Sequence, residues 1–112
     1  MSRDIAEEDW KLLRDLQELS LNTACDRVLQ RVAELVASRG AENHTYYQTL
    51  WTLMQDEDEQ ISLMFDSFKR STAVNKVAMW RKNGLLSEEV FGKLTKETQE
   101  QLLAYESLWK QG

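Results

Sequence analysis

Cys25 and His44 are the only cysteine and the only histidine of this 112-residue chain, so nucleophilic or metal chemistry would have to be built around them. A thiol and an imidazole form a nucleophile–base dyad when two helices bring them within hydrogen-bond reach. Cys25 shares a helical stripe with Val28 and Val32, which assigns it to packing. His44, between Asn43 and Thr45 near a helix start, reads as a surface residue. Zinc sites need several Cys and His at set spacing. A helical di-iron site needs Glu three residues before His, and Ala41 stands there. The acidic run Asp56-Glu57-Asp58-Glu59 could suggest calcium. A calcium loop begun at Asp56 needs Gly at its sixth position and Glu at its twelfth, where this chain has Ile61 and Ser67. There is no Gly-rich phosphate loop, no nucleophile elbow and no isolated acid–base pair. The sequence points to no enzyme, no catalytic or metal-binding residue and no cofactor.

What the sequence does offer is a separation of charge. Residues 1–68 hold six basic and fourteen acidic residues, residues 69–96 seven basic and two acidic, and the whole chain carries -5. Ser67 to Ser87 contains no acid, and its basic residues are interleaved with Val74, Val77, Met79 and Trp80. Such separation favours docking of one surface onto another. Lys69, Arg70, Lys76, Trp80, Arg81 and Lys82 are therefore the candidate partner-binding residues, because Trp and Arg suit interface anchors and Lys steers encounter.

The elements that must position these residues are helical. The chain has no proline and four glycines, which permits long helices joined by polar breaks. Apolar residues recur at helical spacing, as in Ile5, Leu12, Leu16 and Leu19. A second helix is expected over 22–39 with Asn22 or Thr23 as cap, and Arg39-Gly40 reads as a left-handed stop. A third is expected over 42–54, where Tyr47, Leu50, Trp51 and Met54 line one side and Tyr46 and Leu53 widen the stripe. Asp56 and Glu59 resemble a capping box that opens a fourth. Past Phe68 the apolar face changes phase: Ile61, Phe65 and Phe68 point one way, Val74, Val77 and Trp80 nearly the other. Either the helix breaks near Ser71, or it bridges two apolar surfaces, one supplied by a second chain. Asn83-Gly84 is a stop, Ser87 caps a short helix with Val90 and Phe91, and Thr95 caps the last, with Thr98, Leu102, Tyr105 and Trp109 on one face.

The string Gly-Leu-Leu-Ser-Glu-Glu-Val-Phe, from Gly84 to Phe91, resembles the short helical hairpin of SHOCT-type domains over less than a fifth of the chain. The resemblance implies a local hairpin, and no function is carried over.

The expected fold is all-α: a compact bundle of five to seven helices forming one domain over 1–112. Residues 1–70 supply the main helices, and 71–112 a C-terminal hairpin and last helix. A homodimer or small oligomer is expected, with the seam at Val74, Val77 and Trp80 shared between copies. No run approaches the roughly 20 apolar residues of a membrane span. The opening residues lack a secretion-signal pattern, and the lone cysteine suits a reducing, cytoplasmic setting. The functional expectation is a non-enzymatic protein-interaction module (adaptor, regulator or inhibitor) binding another protein or itself. Nucleic-acid binding through the same patch is possible but not favoured, since the remainder is acidic and Glu88 and Glu89 would meet phosphates in a helix-turn-helix. Ligand binding or catalysis around Tyr46, Trp51 and His44 is less favoured still.

Overall fold

The computed structural model describes residues 4–111 and contains five helices and, among those residues, no strand. They are α1 (Glu7–Ala37), α2 (Asn43–Phe65), α3 (Ala73–Lys82), α4 (Glu88–Lys93) and α5 (Lys96–Gln111). α1 opens with Glu7, Glu8 and Asp9 in its first turn, where carboxylates oppose the helix dipole. Nothing stops it at Asn22. Thr23 does not cap a new helix; its hydroxyl donates to the Leu19 carbonyl four residues back, at 3.0 Å, a bond compatible with a continuing helix. The two helices expected over the first 39 residues are therefore one of 31 residues. In the same way α2 runs through Asp56–Glu59, so no capping box forms there, and Glu57 pairs with Arg31 of α1. Gly40 lies in the α1–α2 connection without a left-handed conformation, which among the described glycines belongs to Gly84.

The phase change after Phe68 is a true break. Residues 66–72 form a turn with Ser67 at φ 55°. Thr72, rather than Ser71, ties it: its hydroxyl accepts from the Lys69 amide at 3.0 Å and lies 2.8 Å from the Ser67 carbonyl. The break turns α3 back so that its apolar face joins the core. Val77 and Trp80 are completely buried and Val74 is half-buried, all within one chain. The seam expected to need a second copy is thus closed internally. Phe65 and Phe68 stack on Trp80 with centroids 5.2 and 4.9 Å away, and Trp10 lies 5.2 Å from Phe68. Leu13, Leu85, Leu94 and Leu102 complete the cluster.

Helix ends in this body are closed by side chains from other helices. At the end of α2, the Trp80 Nε1–H donates to the Met64 carbonyl at 2.9 Å and the Lys76 Nζ to the Leu63 carbonyl at 2.6 Å. α3 ends in a Schellman motif: the Leu85 amide bonds the Trp80 carbonyl at 2.8 Å and the Gly84 amide the Arg81 carbonyl at 3.1 Å, with Gly84 at φ 69°. Arg27 of α1 then donates to the carbonyls of Asn83 and Gly84 at 2.6 and 3.0 Å. Ser87 accepts from the Val90 amide, as its position predicts. The start of α5 is held by buried Asp9 of α1, whose carboxylate accepts from the Thr95 amide and from the hydroxyls of Thr95 and Thr98 at 3.0, 2.6 and 2.6 Å.

The molecule is elongated where a compact bundle was expected. Its radius of gyration is 17.1 Å and its extents are 59 × 31 × 24 Å, against the roughly 13 Å radius usual for this length. The cause is the far half of the α1–α2 hairpin: no residue from Leu29 to Leu63 is buried. These two helix segments form an arm projecting from the body. Among the described residues no helix is long and apolar enough to cross a membrane.

Candidate functional site

The cationic segment supplies less free surface than its composition suggests. Trp80 is inside the core. Arg70 donates from Nε to the Ile5 carbonyl at 2.8 Å, and Lys76 is spent on the end of α2. Arg81 pairs with Glu106 and, at 3.0 Å, with Glu88, and its guanidinium lies 4.1 Å over the Phe91 ring. Burial lowers the pKa of Arg81, but the bonds and charges of Glu106 and Glu88 outweigh it and hold the group above its ordinary value. Lys82 sits 5.0 Å over the Trp109 ring, and Lys69 is exposed. Of the six candidate residues, Trp80 presents no surface to a partner, and Arg70, Lys76 and Arg81 are engaged in holding the fold. The physical reason is that free carbonyls at helix ends and carboxylates of neighbouring helices attract cations: Lys76 closes the end of α2, and Arg81 meets Glu88 of α4 and Glu106 of α5.

The other chemistry considered from sequence is dispersed. His44 is the second residue of α2 at the tip of the arm. Cys25 lies beside Leu29, Met54 and Ile61 at its base. Ten residues of α2 separate His44 from the level of Met54, about 15 Å along the axis, so no dyad forms. Tyr46 and Trp51 do not line a common pocket with His44 either. Tyr46 faces α1, with its hydroxyl 3.4 Å from the Ser38 carbonyl, while Tyr47 and Trp51 face solvent. Among the described residues no three His, Cys, Asp or Glu side chains converge for a metal ion.

The arm itself carries the exposed feature. Along α2, Tyr46, Leu50, Leu53 and Glu57 are half-buried, at the spacing of a helix–helix seam. Tyr47, Trp51 and Met54 form a second stripe about 100° further round, one residue beyond each seam position. This stripe is open: Tyr47 is 67%, Trp51 62% and Met54 38% exposed. On α1 the same side shows Leu29, 62% exposed, and Val36, 43% exposed. The groove lined by Cys25, Val28, Leu29, Met54, Glu57, Asp58 and Ile61 puts Leu29 beside Met54, and helical periodicity then carries Val36, Tyr47 and Trp51 to the same side of the hairpin. The opposite side is polar apart from Leu63, 49% exposed at the base: it carries Arg27, Arg31 and Gln60 near the base and Thr45, Gln48, Thr49 and Thr52 toward the tip. Leu29, Val36 and Met54 were not among the sequence candidates. The signal was present in a stripe on α2 wider than one neighbouring helix can cover.

No protein-family model matches this sequence, and no curated protein or solved structure is significantly similar to it.

Proposed function

We propose that this chain is a non-enzymatic protein-interaction module, an adaptor, regulator or inhibitor, that docks through the apolar side of its projecting arm. One observation carries the reading: Leu29, Tyr47 and Trp51 stand more than 60% exposed on one side of a hairpin whose other side is polar. An apolar stripe this large, rimmed by polar residues, is the mark of a binding surface. Large aromatic side chains at its centre suit an interface anchor. The lone Cys25 supports a reducing, cytoplasmic setting.

The cationic end is the second reading, with Lys69, Arg70 and Lys82 as its exposed members, of which Arg70 is tied to the Ile5 carbonyl. A nucleic-acid role for it is disfavoured. α4, the would-be recognition helix, is six residues long, and its Glu88 is already paired with Arg81.

The test is capture from an extract of the cells that make the protein, using immobilised chain. Trp51→Glu and Leu29→Glu should each abolish capture with circular dichroism unchanged, while Lys69→Glu with Lys82→Glu should retain it. Capture that survives both arm substitutions and fails with the lysine pair would transfer the function to the cationic end.

A further inference from the structure

We propose that the occupant of the arm's apolar side is a second copy of this chain, the two arms lying antiparallel about a twofold axis close to Trp51 and forming a four-helix bundle. This rests on the arm being the docking surface, as argued above. Three features of the face are self-complementary.

The first is spacing. His44, Tyr47, Trp51, Met54 and Asp58 follow one another at alternating three- and four-residue steps, the repeat of a helix–helix seam. The stripe is centred on Trp51, with His44 and Asp58 each seven residues away, about 10 Å along the axis. A twofold axis there sets Trp51 against its own copy, Tyr47 against Met54, and His44 against Asp58. The α1 stripe reaches the same centre through Val36. Leu29 lies level with Met54 and Asp58, about 8 Å to the base side of Trp51, and Val36, two turns nearer the tip, lies within about 3 Å of the level of Trp51, so the axis brings Val36 close to its own copy and Leu29 over the tip half of the partner arm.

The second is charge. α2 contains no Lys or Arg, and its acids are gathered at Asp56–Glu59 near the base of the arm. Parallel arms would stack the two acidic bases. Antiparallel arms set each base against the opposite tip, which carries Arg39 and His44 with one acid, Glu42. On the apolar side itself, Asp58 and His44 extend the α2 stripe at its two ends, with Glu57 and Cys25 also lining the groove at the base, and in the antiparallel pairing the His44 imidazole N–H can donate to the Asp58 carboxylate.

The third is area. Aromatic side chains offer about 150–250 Å² each, so the exposed fractions of Leu29, Val36, Tyr47, Trp51 and Met54 leave about 500 Å² of apolar surface, at the upper end of what a monomer displays. Two such faces supply about 1,000 Å², and the polar rim brings the total into the range of a standard specific interface. The paired arms also gain the packed layers that a lone two-helix hairpin lacks.

Sedimentation equilibrium of the full chain at about 1–100 µM tests the proposal. The wild-type protein should approach twice the 13.1 kDa chain mass. Trp51→Glu and Leu29→Glu should each weaken association at least about 30-fold with unchanged circular dichroism, and Gln48→Glu on the polar side should leave it intact. Both substituted residues are exposed in the single chain, so the fold does not depend on them. A wild-type mass of 13.1 kDa throughout overturns self-pairing alone, and capture that still requires Trp51 would then assign the face to another protein's helix. A doubled mass that neither substitution lowers means that copies meet elsewhere, which overturns this inference, while the reading of the arm stands or falls on the capture test.

Discussion

Replacing Asp9 by Ala should destabilise the protein by about 3 kcal/mol, although Asp9 is one of three consecutive acids at a helix start and its neighbours are exposed. Its carboxylate is 1% exposed and accepts three hydrogen bonds from the first turn of α5. Removing it strands the Thr95 amide and the Thr98 hydroxyl, the latter on a residue 2% exposed. A buried donor without a partner costs about 1–3 kcal/mol. Two such donors give about 2–6 kcal/mol. The two threonine hydroxyls, 3.3 Å apart, can bond each other and recover part of this, and release of a buried charge recovers more. Asp9→Asn keeps one acceptor and should cost about half as much. Urea unfolding followed by far-ultraviolet circular dichroism measures both. With a slope of about 2 kcal/mol per molar, the alanine variant should lose about 1.5 M in midpoint at unchanged slope. A loss below about 1 kcal/mol would refute the reasoning, because the cost of burying the carboxylate would then match the value of its bonds.

Two further outcomes test the cross-helix caps. Arg27→Ala removes two donors from the end of α3 and should cost about 1–2 kcal/mol in the same assay, with α3 and its Gly84 turn exchanging their amides faster. Trp80→Phe preserves most of the stacking on Phe65 and Phe68 but deletes the bond to the Met64 carbonyl. It should cost about 1–3 kcal/mol and lower the thermal midpoint by roughly 4–8 °C per kcal/mol.

Local rules written in neighbouring residues were readable before the structure. Asn83-Gly84 ends a helix, Ser87 starts the next, and Thr98, Leu102, Tyr105 and Trp109 turn one face inward, half-buried or better. The phase change after Phe68 likewise located a break. What it meant was not readable. The rotation that seemed to leave Val74, Val77 and Trp80 uncovered is how the chain folds α3 between α2 and α5, with Trp80 on Phe65 and Val74 beside Tyr105, and that depends on where the turn directs α3. Thr23 and Asp56 have the chemistry of caps yet sit inside helices, because a cap acts only where the backbone departs from helical geometry, and no Gly or Pro forces it there. The cationic run misled for a related reason. Arg70, Lys76 and Arg81 answer carbonyls and carboxylates up to 65 positions away in sequence, a separation that composition cannot register. Trp51 and Trp80 are alike as letters; tertiary neighbours alone decide that one is core and the other surface. Asp9 gave a faint signal in hindsight, since it interrupts the apolar series Ile5, Leu12, Leu13 and Leu16 and so must face inward with them.

Because the arm between Leu29 and Leu63 has no interior of its own, its resistance to opening falls steadily from base to tip. Thermal fluctuations should unzip it from the Ser38–Glu42 connection inward while the body stays shut, a gradient that amide exchange resolves residue by residue. Whatever clasps the arm would freeze that unzipping, so contact made at Trp51 would be felt as slowed opening a full arm's length away.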